Sequence, residues 1–146
     1  MKFQSEIEID RNIKDVSGVF GNAENTLKWL EGLHSAELIS GIYGEVGAKC
    51  KVVFESAAGK MEMTETVTLR NLPEQYATTY EGVGYFSWSN HYFEEIDGNT
   101  TRYILEQEVE LHGAFKAAGF LLKGTIRRQL EKTVVSFKRF TEAELD

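Results

Sequence analysis

The stretch Ala114–Thr141, AFKAAGFLLKGTIRRQLEKTVVSFKRFT, decides how the rest of the chain is read. Phe115, Gly119, Leu122, Ile126, Leu130, Thr133, Phe137 and Phe140 recur at steps of three and four, which puts them on one face of a helix. Lys116, Lys123, Arg127, Arg128, Lys132, Lys138 and Arg139 fall mostly off that stripe, against only Glu131 and Glu142. The predicted helix is thus apolar on one side and basic on the other. At a rise of ~1.5 Å per residue it spans about 40 Å, far more than a connector between two strands needs, so its stripe calls for a large partner surface. Gly119 and Gly124 each cost about 1 kcal/mol relative to alanine in a helix interior. They mark either close packing against that surface or room left beside it.

Upstream, the pattern is almost entirely that of strands. Phe3, Ser5, Ile7 and Ile9 alternate with Gln4, Glu6 and Glu8 as a half-buried strand. Asp10 and Asn12 offer caps for a short helix carrying Val16, Val19 and Phe20 and ending at Gly21. A second short helix is predicted over Asn22–Glu31, with Leu27 and Leu30 facing inward beside Trp29 and Gly32 as its stop. Strands follow at Ala36–Ile42, at Ala48–Glu55 and at Met61–Arg70, with turns at the Gly41, Gly44 and Gly47 cluster, at Ser56–Gly59 and at Asn71–Glu74. Tyr76, Thr78 and Tyr80 share a strand face; Gly82–Gly84 turns the chain, and Phe86, Trp88, Asn90 and Tyr92 continue. Asp97-Gly98-Asn99 turns it again into a strand with Tyr103, Leu105, Gln107, Val109 and Leu111 on one face. The expectation is an α+β fold: a seven-stranded antiparallel curved sheet wrapped around the long C-terminal helix, with two short helices between the first and second strands.

The whole of 146 residues with 42% hydrophobic content is expected to form a single domain, 1–146. No apolar run at the start suggests a signal peptide and none reaches membrane-spanning length, so the expected location is cytoplasmic. Net charge is −7; the C-terminal helix accounts for +5, leaving −12 for the rest. Nucleic-acid binding is disfavoured, because it needs a dominant basic surface. The lone Cys50 removes intramolecular disulfides and multi-cysteine metal sites. His34, His91 and His112 are scattered without metal-ligand spacing, and His91 falls on the outward set of its strand, so neither a metal nor another cofactor is expected. No phosphate-binding loop or nucleophile elbow is present.

The order of elements, with Asn25-Thr26-Leu27-Lys28-Trp29-Leu30 in the short-helix region, the Gly44-Glu45-Val46-Gly47 turn, Glu65-Thr66-Val67 before Pro73, and the ending Phe137-Lys138-Arg139-Phe140, resembles the START-like (SRPBCC) superfamily. Its polyketide cyclase/dehydrase and lipid-transport branch is the most similar. That resemblance implies a helix-grip fold and a cavity between sheet and long helix for small hydrophobic molecules. It carries over no catalytic motif.

Taking each turn as the centre of its hairpin aligns the inward residues in rows. Cys50 falls opposite Glu65, Glu65 beside Tyr80, Tyr80 opposite Phe86, and Phe86 near Leu111. A second row reads Ala48, Val67, Thr78, Trp88, Val109, and a third Leu69, Tyr76, Asn90, Gln107. The expected interior is apolar and aromatic with two polar spots. One is Glu65 with Tyr80 and Cys50, of which Glu65 and Tyr80 are the candidate catalytic residues; a carboxyl there is either hydrogen-bonded, raised in pKa or near the mouth. The other is Tyr76, Asn90 and Gln107, suited to a ligand carbonyl or hydroxyl or to satisfying one another. Trp29, Phe86, Trp88, Tyr92, Phe115, Leu122 and Ile126 serve as ligand-binding wall or as core. The expected function is binding or transport of a small lipid-like or aromatic ligand. A metal-free cyclase or dehydratase using the same cavity is the alternative. A third reading is an interaction module that uses the basic helix, for instance as a homodimer.

Overall fold

Alternation of apolar and polar residues builds seven strands, and the computed structural model, which describes residues 1–56 and 59–146, arranges them in one antiparallel sheet. The strands are β1 (Lys2–Ile9), β2 (Leu33–Ser40), β3 (Lys49–Ser56), β4 (Gly59–Asn71), β5 (Gln75–Gly82), β6 (Tyr85–Asp97) and β7 (Thr100–Leu111). Their order across the sheet is β1-β7-β6-β5-β4-β3-β2, so β1 and β2 form the edges although they are sequential strands. Between them lie α1 (Ile13–Gly21), a 3-10 turn (Ala23–Asn25) and α2 (Thr26–Trp29). Asn12 caps α1 by accepting the Asp15 N–H at 2.9 Å. The second helix is shorter than the pattern suggests: Asn22 caps only the 3-10 turn, and Leu27, expected inward, is 46% exposed while Trp29 is buried. The expected turn between Ser56 and Gly59 includes Ala57 and Ala58, which lie outside the described residues.

The long helix is divided. One turn, α3 (Ala114–Ala117), precedes α4 (Gly119–Glu144), with Ala118 between them. Only the C-terminal half of α4 is buried, through Leu130, Thr133, Val134, Phe137 and Thr141. Phe137 is fully enclosed, its ring centroid 4.7 Å from that of Trp29, 4.9 Å from Tyr103 and 5.6 Å from Phe20. Ser136 fixes the same end by donating to the Trp29 carbonyl at 2.6 Å, and Lys138 donates to the Glu8 carbonyl at 2.7 Å. In the N-terminal half the stripe residues Gly119, Leu122 and Ile126 are only half-buried, and Phe120 and Leu121, off the stripe, are 90% and 77% exposed. The two glycines have different settings. A Cβ on Gly119 would meet Leu111 at 3.3 Å, whereas one on Gly124 would meet nothing.

Register follows the turns, and it departs from the expected rows at one hairpin. Cys50 pairs with Glu65 and Glu65 with Tyr80. The β5–β6 connection is two residues, Val83-Gly84, with Gly82 paired to Tyr85, so Tyr80 faces Ser87 and not Phe86. Gly84 takes φ +71°, and a Cβ there would lie 2.6 Å from the Phe115 ring, so this position both permits and requires glycine. A one-residue difference in turn length turns every side chain of β6 to the other face. Phe86, Trp88, Asn90 and Tyr92 therefore lie on the outer surface of the sheet, and Ser87, Ser89, His91 and Phe93 are the buried set. A bulge between Val67 and Leu69 further pairs Tyr76 with Arg70, removing Leu69 from the third row. The inner rows are Cys50, Glu65, Tyr80, Ser87, Val109, then Val67, Thr78, Ser89, Gln107, then Tyr76, His91, Leu105.

This facing distinguishes the two tryptophans. Trp29→Phe, which leaves Trp88, is expected to give fluorescence quenched readily by acrylamide. Trp88→Phe, which leaves Trp29, should resist the same quencher several-fold, and equal quenching in the two variants would place β6 the other way round.

Candidate functional site

Between the buried C-terminal part of α4 and the contacts of Phe115 and Gly119 with the sheet, a chamber of about 220 Å³ remains under the middle of the helix. Leu30, Phe54, Met61, Met63, Leu105 and Ile126 supply apolar walls. Tyr80, Ser89, His91 and Gln107 supply polar points on the sheet side, and exposed Glu55 and Thr125 stand on its solvent side. A second recess of about 40 Å³ adjoins it, walled by Phe20, Trp29, Glu65, Arg70, Tyr76 and Tyr80 among others. Leu30, Tyr80 and His91 belong to both walls.

The sequence-predicted residues divide accordingly. Tyr80, Gln107 and Ile126 line the chamber, and Trp29, Glu65, Tyr76 and Tyr80 line the recess. Phe86, Trp88, Asn90 and Tyr92 reach neither; Asn90 accepts from Gln75 Nε2 at 3.3 Å on the outer face, and the Phe86 and Trp88 rings pack at 4.6 Å. Phe115 is spent against the Gly84 turn, and Leu122, half-buried, stops short of the chamber. Tyr76, Asn90 and Gln107 therefore form no common spot. Ser89, His91 and Tyr85 take their place, and the signal that finds them is the two-residue Val83-Gly84 turn, which sets the facing of β6.

Tyr80 donates its hydroxyl hydrogen to Glu65 Oε2 at 2.8 Å. Burial pushes the Glu65 carboxyl up from its ordinary value, and the Tyr80 hydrogen bond offsets part of that. Burial likewise raises the Tyr80 and Tyr76 phenols, with the Glu65 charge adding to both, and raises the Cys50 thiol. His91 is 6% exposed, with Nδ1 2.7 Å from the Tyr103 hydroxyl. Burial lowers its pKa to about 3, so the ring is neutral at neutral pH. In the tautomer that places the proton on Nε2, the Tyr103 hydroxyl donates to Nδ1 and the Nε2–H of His91 is left as a donor. No group of three or more His, Cys, Asp or Glu among the described residues is placed to share a metal ion.

The two buried groups act on stability in opposite senses. The His91 contribution is complete above its ordinary value of 6.5 and is lost as pH falls towards 3. The Glu65 contribution is complete below its ordinary value of 4.5 and is lost as pH rises through the raised one. Urea denaturation from pH 3 to 8 is expected to show His91→Gln with a flatter acid limb than wild type. Glu65→Gln should gain in stability relative to wild type as pH rises from about 4 to 8, since wild type alone carries the cost of ionising a buried carboxyl. Parallel profiles for wild type and both variants would contradict these placements.

The same architecture recurs in solved structures of other proteins. The chain overlays a Thermus thermophilus crystal structure with TM-score 0.82 at 16% identity, covering 100% of both chains. It overlays the Zhui aromatase/cyclase from Streptomyces sp. R1128 with TM-score 0.83 at 10% identity, covering 100% of this chain and 96% of that one. Norcoclaurine synthase from Thalictrum flavum, solved in complex with dopamine and hydroxybenzaldehyde, overlays with TM-score 0.72 at 15% identity over 98% of this chain and 87% of that one. At such identities the likeness is one of fold. No curated protein matches the chain in sequence. A family model described as polyketide cyclase / dehydrase and lipid transport matches residues 1–139, and with the helix-grip architecture this makes the chain a member of that family, within the START-like (SRPBCC) superfamily.

Proposed function

We propose that the protein binds a small, mainly apolar, ring-sized molecule in the chamber between α4 and the sheet. The observation that carries this reading is the chamber itself: about 220 Å³ of space with apolar walls and a few polar points on one side. Sites for small molecules have this composition, an apolar lining with few placed polar groups. Its size narrows the ligand. The space corresponds to about seven waters of liquid, and it falls below the roughly 300–1,000 Å³ of sites for larger ligands. One or two fused rings fit; a long acyl chain or a four-ring polyketide requires α4 to move. The polar points are neutral at neutral pH on the sheet side, with His91 and Gln107 able to donate to a ligand oxygen.

A second reading, a cyclase or dehydratase reaction in the same chamber, is favoured by one observation: the Glu65 carboxyl, raised by burial, is hydrogen-bonded to Tyr80, which lines the chamber. In that reading Glu65 acts in its protonated form, donating to the Tyr80 oxygen, so that Tyr80 gives its own hydrogen to the substrate while the Glu65 proton replaces it and Glu65 is left as carboxylate. Turnover would then fall with Tyr80→Phe and follow the ionisation of Glu65.

Titration with a series of one- and two-ring aromatics, with palmitate for comparison, tests the binding reading. The fused-ring compounds are expected to bind best, and Ile126→Trp, which fills the chamber from a half-buried helix position, is expected to weaken them at least tenfold with the melting temperature little changed. Unaltered affinity in that variant would exclude the chamber as the site.

A further inference from the structure

The small recess behind Tyr80 has a composition that packing alone does not account for. Trp29 is 3% exposed and its indole N–H is buried without an acceptor. A buried donor left unpaired is costly, which is why such groups are nearly always matched. Glu65 accepts from Tyr80 through Oε2 only, and its other oxygen has no donor among the described residues. Both side chains wall the same recess of about 40 Å³. Arg70 lines it as well, but its guanidinium already donates to the Gly44 and Gly21 carbonyls at 3.0 and 3.2 Å. The unused indole donor, the unused carboxylate oxygen and the buried, unpartnered Thr78 hydroxyl thus border a space big enough for a single hydroxyl or a water or two. The recess also shares Leu30, Tyr80 and His91 with the chamber.

We propose that the recess is a hydroxyl-binding subsite: the terminal hydroxyl of a ligand seated in the chamber accepts a hydrogen bond from Trp29 Nε1–H and donates one to the unused oxygen of Glu65. The inference rests on the chamber being the ligand site and adds which functional group the ligand carries and where it lies. The choice of group follows from the pair. A hydroxyl is donor and acceptor in one atom, so it satisfies both walls at once. A carbonyl satisfies Trp29 and leaves Glu65 unmatched; a carboxylate sets charge against Glu65; an ammonium sets N–H against N–H. The ring that carries the hydroxyl lies among aromatic neighbours, since Phe20 and Tyr76 border the recess with ring centroids 5.2 Å apart.

The two indole N–H signals of the uniformly 15N-labelled protein supply the test, because Trp88 on the outer face is an internal control for Trp29. Titrate with 2-naphthol, naphthalene and 2-naphthoate. The expected result is a downfield shift of the Trp29 indole N–H with 2-naphthol alone, an unmoved Trp88 signal, and 2-naphthol binding about tenfold tighter than naphthalene, as two added hydrogen bonds allow. Glu65→Leu is expected to reduce that preference to less than threefold while naphthalene binding persists, which also shows that the variant is folded. If 2-naphthol and naphthalene bind equally, with the Trp29 N–H unmoved, the subsite is overturned and the chamber reading stands. If 2-naphthoate binds as tightly as 2-naphthol and moves the same signal, the recess reads anions and the hydroxyl assignment fails. If none of the three binds, the chamber reading fails and the subsite with it.

Discussion

The anchoring of Phe137 against Trp29, Tyr103 and Phe20 is the interaction on which the remaining structure depends. Phe20 itself meets Tyr76, His91 and Phe93 at ring centroid distances of 5.2, 4.9 and 5.1 Å, so the first helix, the sheet and the last helix share one aromatic cluster. Aromatic pairs at these separations add to the burial of large apolar surfaces, which makes the cluster the strongest local hold on α4. It lies at one end of the helix. Towards the other end the chain touches the sheet again, where Phe115 meets the Gly84 turn and Gly119 approaches Leu111, and the space between these two holds becomes the chamber. Cavity and core are thus consequences of one arrangement: where the apolar stripe meets rings it is core, and where it meets Met61, Met63 and Ser89 it is wall.

The central strand β6 runs against the usual economy of folding. It sends Phe86 and Trp88 to the outer surface and turns Ser87, Ser89 and His91 inward. Stability alone favours the reverse facing, since each buried polar group needs a partner and each exposed ring forgoes transfer free energy. Such local departures from the pattern gather where a protein is used and not where it is merely held together. Here two of the inward polar residues, Ser89 and His91, border the chamber, and His91, with Nδ1 tied to Tyr103, remains neutral under ordinary conditions.

Most of the architecture was legible in the residues. The three-and-four spacing from Phe115 to Phe140 identified the helix, and alternation identified the strands, because burying one face imposes those periods. The pairing of Cys50, Glu65 and Tyr80 followed from turn centres alone. What escaped was the length of one turn. Reading Gly82–Gly84 as three residues where the chain uses Val83-Gly84 exchanged the faces of β6, put Phe86, Trp88, Asn90 and Tyr92 inside and His91 outside, and dispersed one of the two polar spots. Two glycines beside a valine do not declare which pair forms the turn; the Phe115 ring packed against Gly84 does, and that contact links residues too distant in sequence for local pattern to show. The division of α4 into a buried and an exposed half was equally hidden, because the apolar stripe continues through both.

The most direct measurement of the central claim, that this fold retains ligand space instead of closing into a filled core, is native mass spectrometry of gently purified protein, followed by solvent extraction and addition of a panel of small aromatics. The account predicts a one-to-one adduct, either carried through purification or formed with one- and two-ring compounds, that is released intact on unfolding. Bare protein that takes up none of the panel would contradict it and leave the space between α4 and the sheet without a binding role.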